Sequence, residues 1–180
     1  LNLFSSLSFF TDDTVMTLAI AKSLIDSKNN YDELSEKTII NMVEIGRKYP
    51  NCGFGENFYN WIMTDNHSPY NSYGNGAAMR VSACGFAGES LQDVIMLSRA
   101  VTEVSHNHPE GIKGAEATTV AIYMAKTGRS ILEIKEHIHQ HYYPMDFTLN
   151  SIRDSYTFDG SCQGTVPQAI MAFLESHSFE

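Results

Sequence analysis

Between Val15 and Ile25 the chain is apolar on nearly every face of a helix, broken only by small or peripheral polar residues. That pattern predicts a central, buried helix around which other elements must be arranged. Thr11-Asp12-Asp13, just before it, supplies N-cap side chains and first-turn negative charge. The remaining sequence supplies further helices. Asp32 to Lys48 carries an amphipathic stripe, and Phe58, Trp61 and Ile62 predict one short turn. Residues 64–76 are rich in Asn, Ser, Gly, Pro and Tyr without periodicity and read as a substantial loop. An apolar pattern resumes over 77–87, and Ser90 opens a helix reaching about Val104. Pro109 and Gly128 bracket another, whose Gly114, Ala117, Ala121 and Ala125 invite a close neighbour. Ser130-x-x-Glu133 is a capping box for a helix to about His141, and Ser161 or Thr165 starts the last one before Pro167. Phe173 to His177 shows no stop signal. No segment alternates convincingly as a strand, so the expected fold class is all-α.

The chain has 180 residues, suiting a single domain at 1–180. It begins at Leu1 rather than Met, and its last helix is unstopped, so the domain is expected to be incomplete at both ends. Hydrophobic residues make up 43%, enough for a buried core, and no apolar run approaches the roughly 20 residues of a membrane helix. The net charge of -9, with scattered basic residues, argues against nucleic acid as a partner. Cys52, Cys84 and Cys162 form neither a C-x-x-C pair nor an even set, which fits a reducing, cytoplasmic setting.

Three clusters bear chemistry. Thr11, Asp12 and Asp13 offer only oxygen, the hard donor set of Mg²⁺, Mn²⁺ or Ca²⁺; on spacing alone, helix capping is the commoner use of such residues. Ser72-Tyr73-Gly74-Asn75-Gly76 leads into a helix and would expose backbone N–H groups to a diphosphate, with Tyr73 as a stacking face; the plain alternative is a flexible turn. Ser105-His106-Asn107-His108-Pro109-Glu110 offers imidazoles to sugar hydroxyls or to proton transfer, against an N-terminal cap with solvated histidines. His137, His139 and His141 read as a mostly solvated face, and Cys84 as core. Cys162 lies near a helix start that would favour its thiolate, but has no histidine partner.

In order along the chain, these segments resemble the ADP-ribosylglycohydrolase family. The carriers are Phe10-Thr11-Asp12-Asp13-Thr14-Val15-Met16-Thr17, Tyr73 to Arg80, Ser105 to Gly111, and Tyr156 to Pro167. The resemblance implies a compact, orthogonal all-α domain and a hydrolase with two Mg²⁺ ions, Mn²⁺ being the alternative. Its substrate would be an ADP-ribosylated protein or a small ADP-ribosyl compound. It implies Thr11, Asp12 and Asp13 as metal ligands, the two acids also as catalytic groups. Ser72, Tyr73, Gly74, Asn75 and Gly76 would hold the diphosphate and adenosine side, and His106 would bind near the ribose. The family's upstream Gly-Asp helix and its later Gly-Gly-Asp-x-Asp segment are absent from these residues, which leaves half a metal site. Two alternatives follow: an ADP-ribose-binding module without hydrolysis, and a structural homologue binding neither ligand. A second copy or another polypeptide supplying the missing elements would make the protein an oligomer.

Overall fold

The computed structural model describes residues 5–178. The expectations attached to Leu1 and Glu180 lie outside them. Among the described residues ten helices follow one another: α1 Asp12–Ser27, α2 Leu34–Lys48, α3 Glu56–Met63, α4 Gly76–Met79, α5 Ser82–Ala87, α6 Leu91–Thr102, α7 Pro109–Lys126, α8 Ile131–His141, α9 Leu149–Ile152 and α10 Cys162–Glu175. Among the described residues the sole β pairing is an isolated antiparallel bridge between Gly74 and Ser161. No described helix is long and apolar enough to cross a membrane. The all-α expectation holds.

Several boundaries follow the local chemistry read from the sequence. Ser90 and Ser130 each close a capping box, with Asp93 and Glu133 respectively. Pro109 opens α7, and Gly128, at φ +79, lies just beyond its end. Ser161, rather than Thr165, caps α10 by accepting from the Gly164 N–H at 3.1 Å. α10 stops at Glu175, against the expectation of an unstopped helix: Ser176 turns extended, and its hydroxyl donates to the Phe173 carbonyl at 2.7 Å.

The expectation of α1 as the central helix needs correction. Val15, Met16, Ala19, Ile20 and Leu24 face the core, but Leu18 is 59% and Ile25 73% exposed. The centre is α7, which packs against α4, α5, α6, α8 and α10. Small residues permit this, because neighbouring backbones can approach it from several sides. A Cβ on Gly114 would stand 2.6 Å from both Cβ and Sγ of Cys162 in α10, and one on Gly111 would stand 2.7 Å from the Ser72 carbonyl oxygen. On a third side, a Cβ on Gly85 of α5 would meet Ile122 and the Thr119 carbonyl. The start of α7 is thereby pressed against the 64–75 loop and the start of α10.

Gly114→Ala should force α7 and α10 apart. The expected loss is about 1–3 kcal/mol, the usual range for overpacking a tight core, read by urea denaturation. A neutral substitution would refute this contact.

Candidate functional site

At the start of α1, Thr11 occupies extended backbone at the N-cap, yet its side chain makes no capping bond. Its Oγ1 donates instead to Asp13 Oδ2 at 2.8 Å. The Asp12 N–H donates to the Cys52 carbonyl at 3.0 Å, drawing residues 52–53 against the acidic turn. Gly53 there has φ +113, and a Cβ on it would stand 3.3 Å from Asp12 Oδ1, so both backbone conformation and space favour glycine. Burial first, and then the charge of Asp13, push the Asp12 carboxyl above its ordinary range. Neither acid has an ion-pair partner among the described residues. Side-chain capping by Thr11 therefore does not account for the cluster.

The glycine loop is built differently from a flexible turn. The Cys162 N–H donates to the Tyr73 carbonyl at 2.9 Å, and the Asn75 N–H to the Gly160 carbonyl at 2.8 Å. The Cys162 thiol donates to the Gly74 carbonyl at 3.3 Å. These bonds staple the loop to the start of α10. They also use N–H groups expected to be free: Gly74 N–H donates to Ser72 Oγ at 3.2 Å and Asn75 N–H to Gly160, leaving Gly76 without a partner among the described residues. Gly74 and Gly76 have no positive φ. A Cβ on Gly74 or Gly76 would lie in ordinary contact with His106 Nε2, at 3.7 and 3.6 Å, so both positions stand beside that nitrogen.

The histidine segment divides by role. His108 caps α7, its Nδ1 accepting from the Glu110 N–H at 3.1 Å. Asn107 Oδ1 accepts from the Asn71 N–H at 2.7 Å, fixing the loop. His106 alone of the segment lines the cleft; its Nδ1 is 2.8 Å from Ser105 Oγ.

Asp12, Asp13, Ser72, Gly74, Asn75, Gly76 and His106 all line one cleft of about 960 Å³. Thr11 and Tyr73 are not among its lining residues. Thr11 is turned to Asp13, and Tyr73, half-exposed, sets its ring edge-on to His108 with centres 5.2 Å apart. Cys162 offers no thiolate: burial pushes its thiol up to about 12 and outweighs its place at a helix start, which agrees with its lack of a histidine partner.

The profile of the ADP-ribosylglycohydrolase family matches residues 5–180. The chain belongs to the ADP-ribosylglycohydrolase family. It is 32% identical over 139 residues to mouse ADP-ribosylhydrolase ARH3, and 31% identical over 139 residues to the human protein. The matches take in 69% of this chain and 37% and 38% of those proteins, so the chain spans under two-fifths of the relatives' length. A solved structure described as an ADP-ribosylglycohydrolase-related protein complex has a TM-score of 0.69 at 21% identity, covering 95% of this chain and 61% of that one. At that identity the likeness is one of fold.

In this glycohydrolase-family chain the lining residues given no site role in the sequence reading include Glu56, Phe58, Arg80 and Phe158. Glu56 opens α3 after two closely spaced glycines, Gly53 and Gly55. Phe158, 95% exposed, stands beside Gly160. Arg80 follows an otherwise small and apolar run, and that isolated charge was the available signal.

Burial, and then the charge of Arg80, hold the His106 imidazole well below its ordinary 6.5. The unfolded chain therefore takes up this proton more readily, so the residue's contribution is full above about pH 6.5 and is lost as pH falls below it. Stability should decline from about pH 6.5 to about pH 5, with a share from His106 approaching 1.4 kcal/mol per pH unit as a rough upper value. His106→Gln should flatten that decline in urea titrations. Identical pH slopes for the two proteins would refute the assignment.

Proposed function

We propose that this chain forms the ADP-ribose-binding floor and one side of the metal centre of a hydrolase. The bond cleaved would link ADP-ribose to a modified protein side chain or to a related small compound. The observation carrying this reading is the shared cleft of about 960 Å³, where an oxygen-only acidic corner, a glycine floor and His106 meet. That volume suits a ligand of nucleoside-diphosphate-sugar size. The mouse and human relatives are named as ADP-ribosylhydrolases, which supports the same chemistry.

Thr11, Asp12 and Asp13 fit a hard divalent cation on one side, Mg²⁺ first and Mn²⁺ next. Two neighbouring acids without a counter-charge are the donors such an ion relieves. When bound, the ion would supply charge stabilisation at the breaking glycosidic bond and orient ribose hydroxyls and water. A carboxylate beside a dication stays ionised, so Asp12 and Asp13 would act as ligands and proton acceptors rather than as acids. Ser72, Gly74, Asn75 and Gly76 would support the diphosphate and adenosine side, with Tyr73 at the outer rim and His106 near the ribose.

A second reading, an ADP-ribose-binding module without turnover, is favoured by one observation. Among the described residues no group of three or more His, Cys, Asp or Glu converges to hold a metal ion. Three buried free thiols, Cys52, Cys84 and Cys162, support a reducing, cytoplasmic setting, and the net charge of -9 supports a partner other than nucleic acid.

ADP-ribose at a hundredfold excess over its Kd is expected to stabilise the chain by about 2.7 kcal/mol in thermal denaturation. Asp12→Ala should keep most of that binding and abolish Mg²⁺-dependent release of ADP-ribose from a modified protein. Full turnover in Asp12→Ala would sink the metal role. Tight binding without turnover in the parent chain selects the second reading, and no binding at all refutes both.

A further inference from the structure

Arg80 is 1% exposed and lies at the cleft without a carboxylate partner among the described residues. Its Nη2 donates to the Val101 carbonyl at 3.2 Å, to the Thr102 carbonyl at 3.5 Å and to Ser105 Oγ at 2.8 Å. Its guanidinium carbon lies 5.4 Å from the centre of the Phe58 ring. Ser105 is fully buried, and its Oγ is 2.8 Å from His106 Nδ1. An arginine only donates, so the serine oxygen must accept from it. The single hydroxyl proton then needs an acceptor, and among the described residues His106 Nδ1 is the one within reach. With Nδ1 accepting, the neutral ring carries its proton on Nε2. That nitrogen makes no hydrogen bond among the described residues and looks toward Gly74 and Gly76.

We infer that Arg80 is a positioning residue: through Ser105 it fixes His106 as the Nε2–H tautomer and presents that N–H over the glycine floor as a donor to an oxygen of the bound ligand. The identity of that ligand, ADP-ribose, rests on the function proposed above; the tautomer is a property of the free protein. The titratable groups facing His106 are Arg80, beyond the end of α4, and Tyr70 from the loop, its ring centre 5.7 Å away. Phe58 of α3, at 6.0 Å, adds no charge. Both the burial of the ring and the Arg80 charge oppose a second proton. His106 is thus a neutral donor that binds an oxygen without handing over a proton, its free nitrogen facing positions 74 and 76.

Nitrogen-15 NMR of histidine-labelled protein tests this directly. The parent chain should show His106 with a protonated Nε2 and an unprotonated Nδ1, unchanged between about pH 5.5 and about pH 8. ADP-ribose should shift the Nε2–H resonance. Ser105→Ala should give a mixture of tautomers and roughly tenfold weaker ADP-ribose binding by calorimetry. Arg80→Lys should do the same where it folds, and Ser105→Ala decides where it does not. An Nδ1–H tautomer or an imidazolium at neutral pH in the parent, or an unaltered tautomer in Ser105→Ala, overturns the relay. Failure of ADP-ribose to bind the parent refutes the proposed function, while the tautomer measured without ligand still decides the relay.

Discussion

Arg80 is a cation withdrawn from water with no described carboxylate to neutralise it, and much of the site is arranged to make that tolerable. Burial brings its pKa down to about 10, which leaves it charged at neutral pH. Carbonyls at the end of α6, the nearby Ser105 hydroxyl and the face of Phe58 share the charge between two segments distant from Arg80 in sequence. The Nε–H remains without a partner among the described residues. An unneutralised cation of this kind favours anions and electron-rich oxygens, while two unneutralised acids at the start of α1 favour cations. Charges of both signs therefore line one cleft.

α7 supplies the second constraint. Its Gly111 and Gly114, together with Gly85 of α5, let the 64–75 loop, α10 and α5 come close on three sides, so the residues before it are placed by backbone packing rather than by long side chains. That is why His106, only three residues before α7, has a fixed relation to Gly74 and Gly76, thirty or more residues earlier. The loop is long, yet it is held by Asn107, by Ser105 and by the start of α10.

The helix ends are legible in the sequence through local rules. Capping boxes at Ser90 and Ser130 and the Pro109 and Gly128 punctuation marked helix ends because the determining atoms lie within a few residues. The central helix is not legible from hydrophobicity, which measures how much surface an element can bury, whereas centrality here depends on how many neighbours can approach it. Leu18 and Ile25 made α1 look more enclosed than it is. In the site, the acidic turn, the glycine loop and His106 were visible as residue types. What was hidden were pairings across the chain: the loop N–H groups already bonded, the thiol of Cys162 suppressed by burial, and Arg80 reaching Ser105, twenty-five residues on.

The bonds joining Tyr73 and Asn75 to Cys162 and Gly160 have a further meaning. A loop of this composition would ordinarily be an ensemble, and a ligand landing on it would have to freeze that ensemble out of its own interaction energy. Here the freezing belongs to folding, because the start of α10 completes the loop before any ligand arrives. Recognition at this floor then approaches lock and key, with ligand affinity set by contacts made rather than by order imposed.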